Sequence, residues 1–152
     1  MAQAWDPDVA ERLIAEHLAL DAPMLPILHA LQDTFGCVPP DVVPLIAEAL
    51  NLSRAEVHGV VSFYHDFRGA PAGRRVVRVC RAESCQAMGG EAAAAFLLAA
   101  LGVEWGGTTA DGEVTVEPVY CLGLCAVSPA ALVDGEPVGR VDGMSLVEAV
   151  RG

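Results

Sequence analysis

The sequence predicts an α/β protein in two parts, a small four-helix domain over residues 1–68 and a mixed α/β domain over residues 74–152. Three observations lead there. Apolar residues recur at helical spacing through the first 66 residues. Gly69-Ala-Pro-Ala-Gly73 then interrupts the pattern as a linker. Beyond it the period changes to strand alternation, beginning with Arg75-Val-Val-Arg-Val-Cys80.

The elements follow in order. Asp6-Pro7 is a helix-start signal, and Val9, Leu13, Ile14 and Leu18 mark the apolar stripe of a first helix. Pro23 and Pro26 punctuate a second start, with Ile27, Leu28 and Leu31 inside and Gly36 as the stop. Pro39-Pro40-Asp41 opens a third helix carrying Val42, Leu45, Ile46 and Ala49. Ser53-Arg-Ala-Glu56 has the form of a capping box, so a fourth begins there with Val57, Val60 and Val61 on its apolar face. After the linker, the strand of residues 75–80 ends on a cysteine. Residues 87–101, rich in alanine and leucine, predict a helix stopped by Gly102. Gly106-Gly107 through Gly112 is a loop, and Val114 to Tyr120 is a second strand that again runs into a cysteine. Ala131-Leu-Val133 and Glu136-Pro-Val138 flank an Asp134-Gly135 turn and predict a hairpin. Residues 143–151 form a closing helix.

Composition excludes several classes. The 152-residue chain is 53% hydrophobic, enough for a core, yet no apolar run approaches the roughly 20 residues of a membrane helix. The acidic, polar N-terminus, Met-Ala-Gln-Ala-Trp-Asp, does not read as a signal peptide, so the expectation is a soluble, cytoplasmic protein. The net charge is −11 and lysine is absent, which argues against nucleic acid, whose binders carry a basic footprint. Five of the nine arginines, Arg68, Arg74, Arg75, Arg78 and Arg81, precede or enter one cysteine loop. They serve as solvated strand edges, or they offset a negative cluster or dock an acidic partner.

The chemistry lies in four cysteines. Cys80 and Cys85 enclose four residues, Cys121 and Cys125 enclose three, and thirty-five residues separate the pairs. If the two strands are parallel neighbours about 4.8 Å apart, both cysteine loops leave the same sheet edge and can close on one site. Four thiolates suit an iron–sulfur cluster or a structural zinc. Zinc knuckles usually use two-residue gaps, as do dithiol redox motifs, so the wider gaps here favour the cluster. Such a group is anionic and calls for N–H donors. Gly123 permits close approach of the second loop, and the helix start after Cys85, with Gln86, Gly89 and Gly90, is expected to supply them. Cys37 stands apart and reads as a small buried hydrophobe.

The order β-α-β-β-β-α resembles a thioredoxin-like fold. With its cysteine spacing the chain resembles the small [2Fe–2S] subunit of the NADH-dehydrogenase module of respiratory complex I. Leu25-Pro-Ile-Leu-His-Ala-Leu-Gln-Asp-Thr-Phe-Gly36, Val38-Pro39 and Gly59-Val-Val-Ser-Phe-Tyr64 are similar to the helical domain of that family, and the resemblance runs from about residue 10 to the C-terminus. Cys80-Arg-Ala-Glu-Ser-Cys85-Gln-Ala-Met-Gly89 is similar to the gamma subunit of soluble NAD-dependent, molybdenum-containing formate dehydrogenases. The resemblance implies an electron-transfer subunit, not itself catalytic, with one [2Fe–2S] cluster on Cys80, Cys85, Cys121 and Cys125. It implies FMN and NAD on a flavin/NAD-binding partner, a molybdenum-containing catalytic subunit, and a docking role for the helical domain. The equivalent subunit of complex I or of an NAD-reducing hydrogenase is the alternative, and a zinc-stapled adaptor is another. The absence of G-x-G-x-x-G and of a Walker loop agrees with a chain that binds no nucleotide.

Other residues read as structural. His17, His29, His58 and His65 lie outside the cysteine pairs. Phe63, Tyr64, His65 and Phe67 suggest a packing seam closing the helical domain. Ser84 and Ser128 lack a nucleophile motif, and Ser128-Pro129 bends the chain after the second loop. Trp5 and Trp105 are candidate interface anchors.

Overall fold

The computed structural model describes residues 3–152; Met1 and Ala2, the first two residues of the acidic N-terminus, lie outside them. The chain divides into two compact units, one ending at Pro71 and the other running Ala72–Gly152.

The first unit contains α1 (Pro7–His17), α2 (Met24–Phe35), α3 (Val42–Leu50) and α4 (Arg54–Phe63). Local chemistry sets their ends. The Asp6 carboxylate accepts from the Asp8 and Val9 N–H groups and caps α1. Gly36, at φ 75°, terminates α2 in the left-handed conformation that glycine adopts without a Cβ clash. Ser53 and Glu56 form the reciprocal capping box that starts α4. The core gathers Ala10, Ile14, Ile27, Leu28, Leu31, Phe35, Val42, Ile46, Ala47 and Val57. Each large aliphatic there contributes about 1.5–3 kcal/mol by leaving water.

Several expectations change. Leu18 follows the end of α1 and is exposed, so Ala10 and Ile14 form the inner stripe. Ala49 is exposed and Ala47 takes the core position, because α3 turns a different edge inward. The aromatic seam is only partly a seam. Phe67 is buried, but Phe63 is 72% exposed and Tyr64 44%. Trp5 is half-buried against the core of this unit, its ring meeting Phe35 edge-on at 5.2 Å.

The second unit is a four-stranded sheet in the order β2-β1-β3-β4. Its strands are β1 (Arg75–Cys80), β2 (Val114–Val119), β3 (Ala130–Val133) and β4 (Glu136–Gly139). β1 and β2 are parallel, and β3 is antiparallel to both β1 and β4. The register pairs Cys80 with Val119, so both cysteine loops emerge at one sheet edge. Asp134 and Gly135 take positive φ values of 51° and 87° in the β3–β4 turn, as an Asp-Gly hairpin requires.

The helix expected over 87–101 begins three residues later, at Gly90, and a separate short helix precedes it. A short α5 (Glu83–Ala87) carries Cys85, the chain reverses through Gly89 at φ 94°, and α6 (Gly90–Leu101) begins at the next residue. Position 90 has no room for a side chain: a Cβ there would lie 2.6 Å from the Cys85 carbonyl oxygen. The first cysteine loop and α6 are therefore pressed together at a glycine. Val77, Val79 and Val116 of the sheet pack with Ala93, Ala94 and Leu97 of α6 and with Leu146, Val147 and Val150 of α7 (Gly143–Arg151).

Candidate metal centre

Secondary structure delivers the first pair and loops deliver the second. Cys80 is the last residue of β1, and Cys85 lies inside α5. Cys121 follows β2 by two residues with φ 68°, and Cys125 opens a 3₁₀ turn, Cys125–Val127. Cys80 and Cys85 are buried with Ala130, beside Ala82, Val119, Leu122 and Leu124. Cys121 and Cys125 are exposed.

The sulfurs stand as two pairs. Within each pair the thiols lie close enough to shift ionisation, Cys80 and Cys85 acting on one another and Cys121 on Cys125. Across the pairs, Cys125 acts on Cys85, and Cys80 on Cys125, through charge. Among the described residues no three histidine, cysteine or carboxylate side chains close on a single point as one ion would demand.

The protein surrounds these sulfurs with donors. Burial pushes the Cys80 thiol up, but hydrogen bonds from the Ala82, Cys121 and Leu122 N–H groups and from Cys85 outweigh it, so its pKa falls below the ordinary thiol value. Burial raises the Cys85 thiol, helped by its hydrogen bond to Cys80 and the neighbouring thiolate charge, against one donor, the Ala130 N–H. Cys125 is raised chiefly by its hydrogen bond with Cys121 and the Cys121 charge. The donors that act on these thiols come from the entry to α5, from the second loop and from β3. A site of two thiol pairs lined by N–H groups fits a cluster that takes two thiolates at each of two irons and is tuned by hydrogen bonds to sulfur.

The arginines are mostly occupied. Arg74 pairs with Glu113, Arg75 with Asp134 at 3.0 Å, Arg78 with Glu117 at 3.1 Å and Arg81 with Glu91 at 3.2 Å. These pairs range from exposed, as at Arg74–Glu113, to mostly buried, as at Arg78–Glu117, and each sets the arginine's charge against a neighbouring carboxylate. Arg81 also lies 4.8 Å above the Trp105 ring, which makes Trp105 an internal contact. All four histidines fall in the first unit; His29 meets the Phe67 ring at 5.1 Å with the planes tilted by 59°, and His17 Nδ1 lies 2.8 Å from the Leu13 carbonyl. Cys37 is buried, and burial raises its thiol pKa.

Residues 10–152 match the family model described as thioredoxin-like [2Fe-2S] ferredoxin. The chain belongs to this family. Thioredoxin-like [2Fe–2S] ferredoxins carry the cluster their description states, on the mixed α/β fold found here. Among relatives, the chain is 38% identical over 125 residues to a subunit of the NADH-quinone oxidoreductase of Pseudomonas aeruginosa, covering 80% of this chain and 75% of that one. It is 30% identical over 118 residues to the HndA subunit of the NADP-reducing hydrogenase of Solidesulfovibrio fructosivorans, covering 78% and 69%. A solved NAD+-reducing [NiFe]-hydrogenase in the air-oxidized state superposes with a TM-score of 0.69 at 27% identity, over 84% of this chain but 22% of the hydrogenase chain.

Sequence reasoning missed Gly90 as a steric partner of Cys85, the positive φ of Cys121, and Ala82 and Ala130 as donors. Gly90 alone left a signal, as a glycine opening an alanine-rich helix.

Proposed function

We propose that Cys80, Cys85, Cys121 and Cys125 hold the [2Fe–2S] cluster and that the chain is an electron-transfer subunit of a multisubunit NAD-linked oxidoreductase. The observation that supports this reading is the parallel β1–β2 register, which pairs Cys80 with Val119 and brings both cysteine loops to one sheet edge. When bound, such a cluster supplies a one-electron relay. The chain's own residues fix the thiolates, donate hydrogen bonds that favour added negative charge, and leave the Cys121–Cys125 side open toward a partner.

Formate dehydrogenase is the specific complex we favour, on the strength of Cys80-Arg-Ala-Glu-Ser-Cys85-Gln-Ala-Met-Gly89. FMN and NAD then sit on a flavin subunit, molybdenum on a catalytic subunit, and the assembly in the cytoplasm. Among the described residues, no helix is long and apolar enough to cross a membrane. The second reading, an equivalent subunit of an NADH-quinone oxidoreductase or an NAD-reducing hydrogenase, is favoured by the names of the relatives. In either case we assign the helical unit to docking on the flavin subunit. Its exposed Phe63 and Tyr64 border an apolar groove with Met24, Leu52 and Val60, a surface a lone electron carrier does not need.

Affinity isolation of the complex from its native cell separates these readings. Formate dehydrogenase is expected to bring down a flavoprotein and a molybdenum-containing subunit. A nickel-containing or a quinone-reducing partner set would replace the formate assignment with the second reading.

A further inference from the structure

We propose that Ser84 is a positioning residue for the cluster: its hydroxyl ties the two cysteine loops together and sets where Cys125 stands relative to the Cys80–Cys85 pair. This role rests on the ligand assignment proposed above. Ser84 lies in α5, one residue before Cys85. Its Oγ is 3.3 Å from the Cys125 carbonyl oxygen and 2.9 Å from Ser128 Oγ, reaching 41 and 44 residues along the chain.

The proton directions follow from the chemistry of the partners. A carbonyl oxygen only accepts, so Ser84 gives its single hydroxyl proton to Cys125. The contact with Ser128 must then run from the Ser128 hydroxyl to Ser84 Oγ. The result is a two-step relay, Ser128 to Ser84 to the Cys125 carbonyl, in which every hydroxyl proton is used. Ser128 is one of only two buried polar residues among the described residues, so its hydroxyl has little access to water if Ser84 is removed.

The relay fills a gap in how the second loop is held. Its first half is tied to the first pair by the Cys121 and Leu122 N–H groups on the Cys80 sulfur. Its second half has only local turn bonds, from Val127 N–H to the Leu124 carbonyl at 3.0 Å and from Ser128 N–H to the Cys125 carbonyl at 3.4 Å, and a link from Arg140 N–H to the Val127 carbonyl. Ser84 is the side chain of the first loop that grips Cys125 itself. It also pulls on a carbonyl next to a ligand sulfur, so its loss alters the electrostatics felt there as well as the geometry.

The test uses the full chain, reconstituted anaerobically with iron and sulfide, as wild type, Ser84→Ala, Ser84→Thr, Ser128→Ala and the Ser84→Ala/Ser128→Ala double variant. Two readouts are followed: the rate of cluster bleaching by an iron chelator, and the EPR spectrum of the reduced protein. Losing two ordinary hydrogen bonds should speed bleaching roughly tenfold in Ser84→Ala, with shifted g values. Ser128→Ala should give a smaller effect, the double variant should be no worse than Ser84→Ala because it leaves no stranded hydroxyl, and Ser84→Thr should restore both readouts. Ser128→Ala keeps the comparison open if Ser84→Ala fails to fold. An iron-loaded wild type matched in both readouts by Ser84→Ala, or a larger effect from Ser128→Ala, would overturn this role alone. A wild-type chain that takes up no iron would bring down the ligand assignment, and this role with it.

Discussion

The two cysteine loops are built by different means. The first is an extension of the folded core. Cys80 closes β1, Cys85 is clasped by α5, both are buried, and Gly90 packs against the Cys85 carbonyl. The second has neither strand nor α-helix to shape it. Cys121 sits in the left-handed region at φ 68°, Cys125 stands in a 3₁₀ turn, and both are exposed. Beside its own turn bonds, the second loop is tied to the first by the Ser84 hydroxyl on the Cys125 carbonyl. The first loop is thus a template on which the second is laid.

The largest expected effect separates the pairs directly. Cys80→Ser replaces the sulfur that gathers three N–H groups with a harder, shorter ligand. It should reduce iron and visible absorbance to near zero after reconstitution. Cys125→Ser, on the open loop, should retain a substantial fraction with an altered spectrum. Equal losses would break the template idea.

Next come the glycines. Gly90→Ala drives a methyl group to within 2.6 Å of the Cys85 carbonyl oxygen and should cost about 2–3 kcal/mol in chemical denaturation of the apo chain. Gly123→Ala faces open space at φ 75° and should cost about 1 kcal/mol, the conformational penalty alone. The first loop is limited by space and the second by backbone angle, so the reverse order would contradict that distinction.

The smallest effect is the pH dependence of the apo chain. Cys80, with a depressed pKa, should ionise below the ordinary thiol value, while Cys85 and Cys125 ionise above it. Cys80 therefore adds stability above its unfolded pKa, lost as pH falls through its folded value. Cys85 and Cys125 add stability below their unfolded pKa, lost as pH rises through their folded values. Thiolate absorbance should show the low step vanish in Cys80→Ser and a high step vanish in Cys125→Ser.

The same contrast explains what was legible in the sequence. Features set by neighbours in the chain could be read: the Asp6 cap, the Ser53–Glu56 box, the Asp134-Gly135 turn, and strands running into Cys80 and Cys121. The thioredoxin-like fold followed from their order. Features set by distant contacts could not. Gly89-Gly90 marks a helix start but does not show that α6 packs against the Cys85 carbonyl. Nothing near Trp105 reveals Arg81 above its ring. Ser84 and Ser128 are too far apart in sequence to suggest a bond. Phe63 and Tyr64 read as part of a seam because aromatic content alone does not tell an inward ring from an outward one.

The central claim is that the four cysteines hold a two-iron cluster. Anaerobic purification followed by iron, zinc and acid-labile sulfide analysis, with EPR on the reduced protein, tests it most directly. About two irons and two sulfides per chain with a reduced-state signal are expected. Zinc bound in stoichiometric amount, with neither iron nor sulfide, would contradict it.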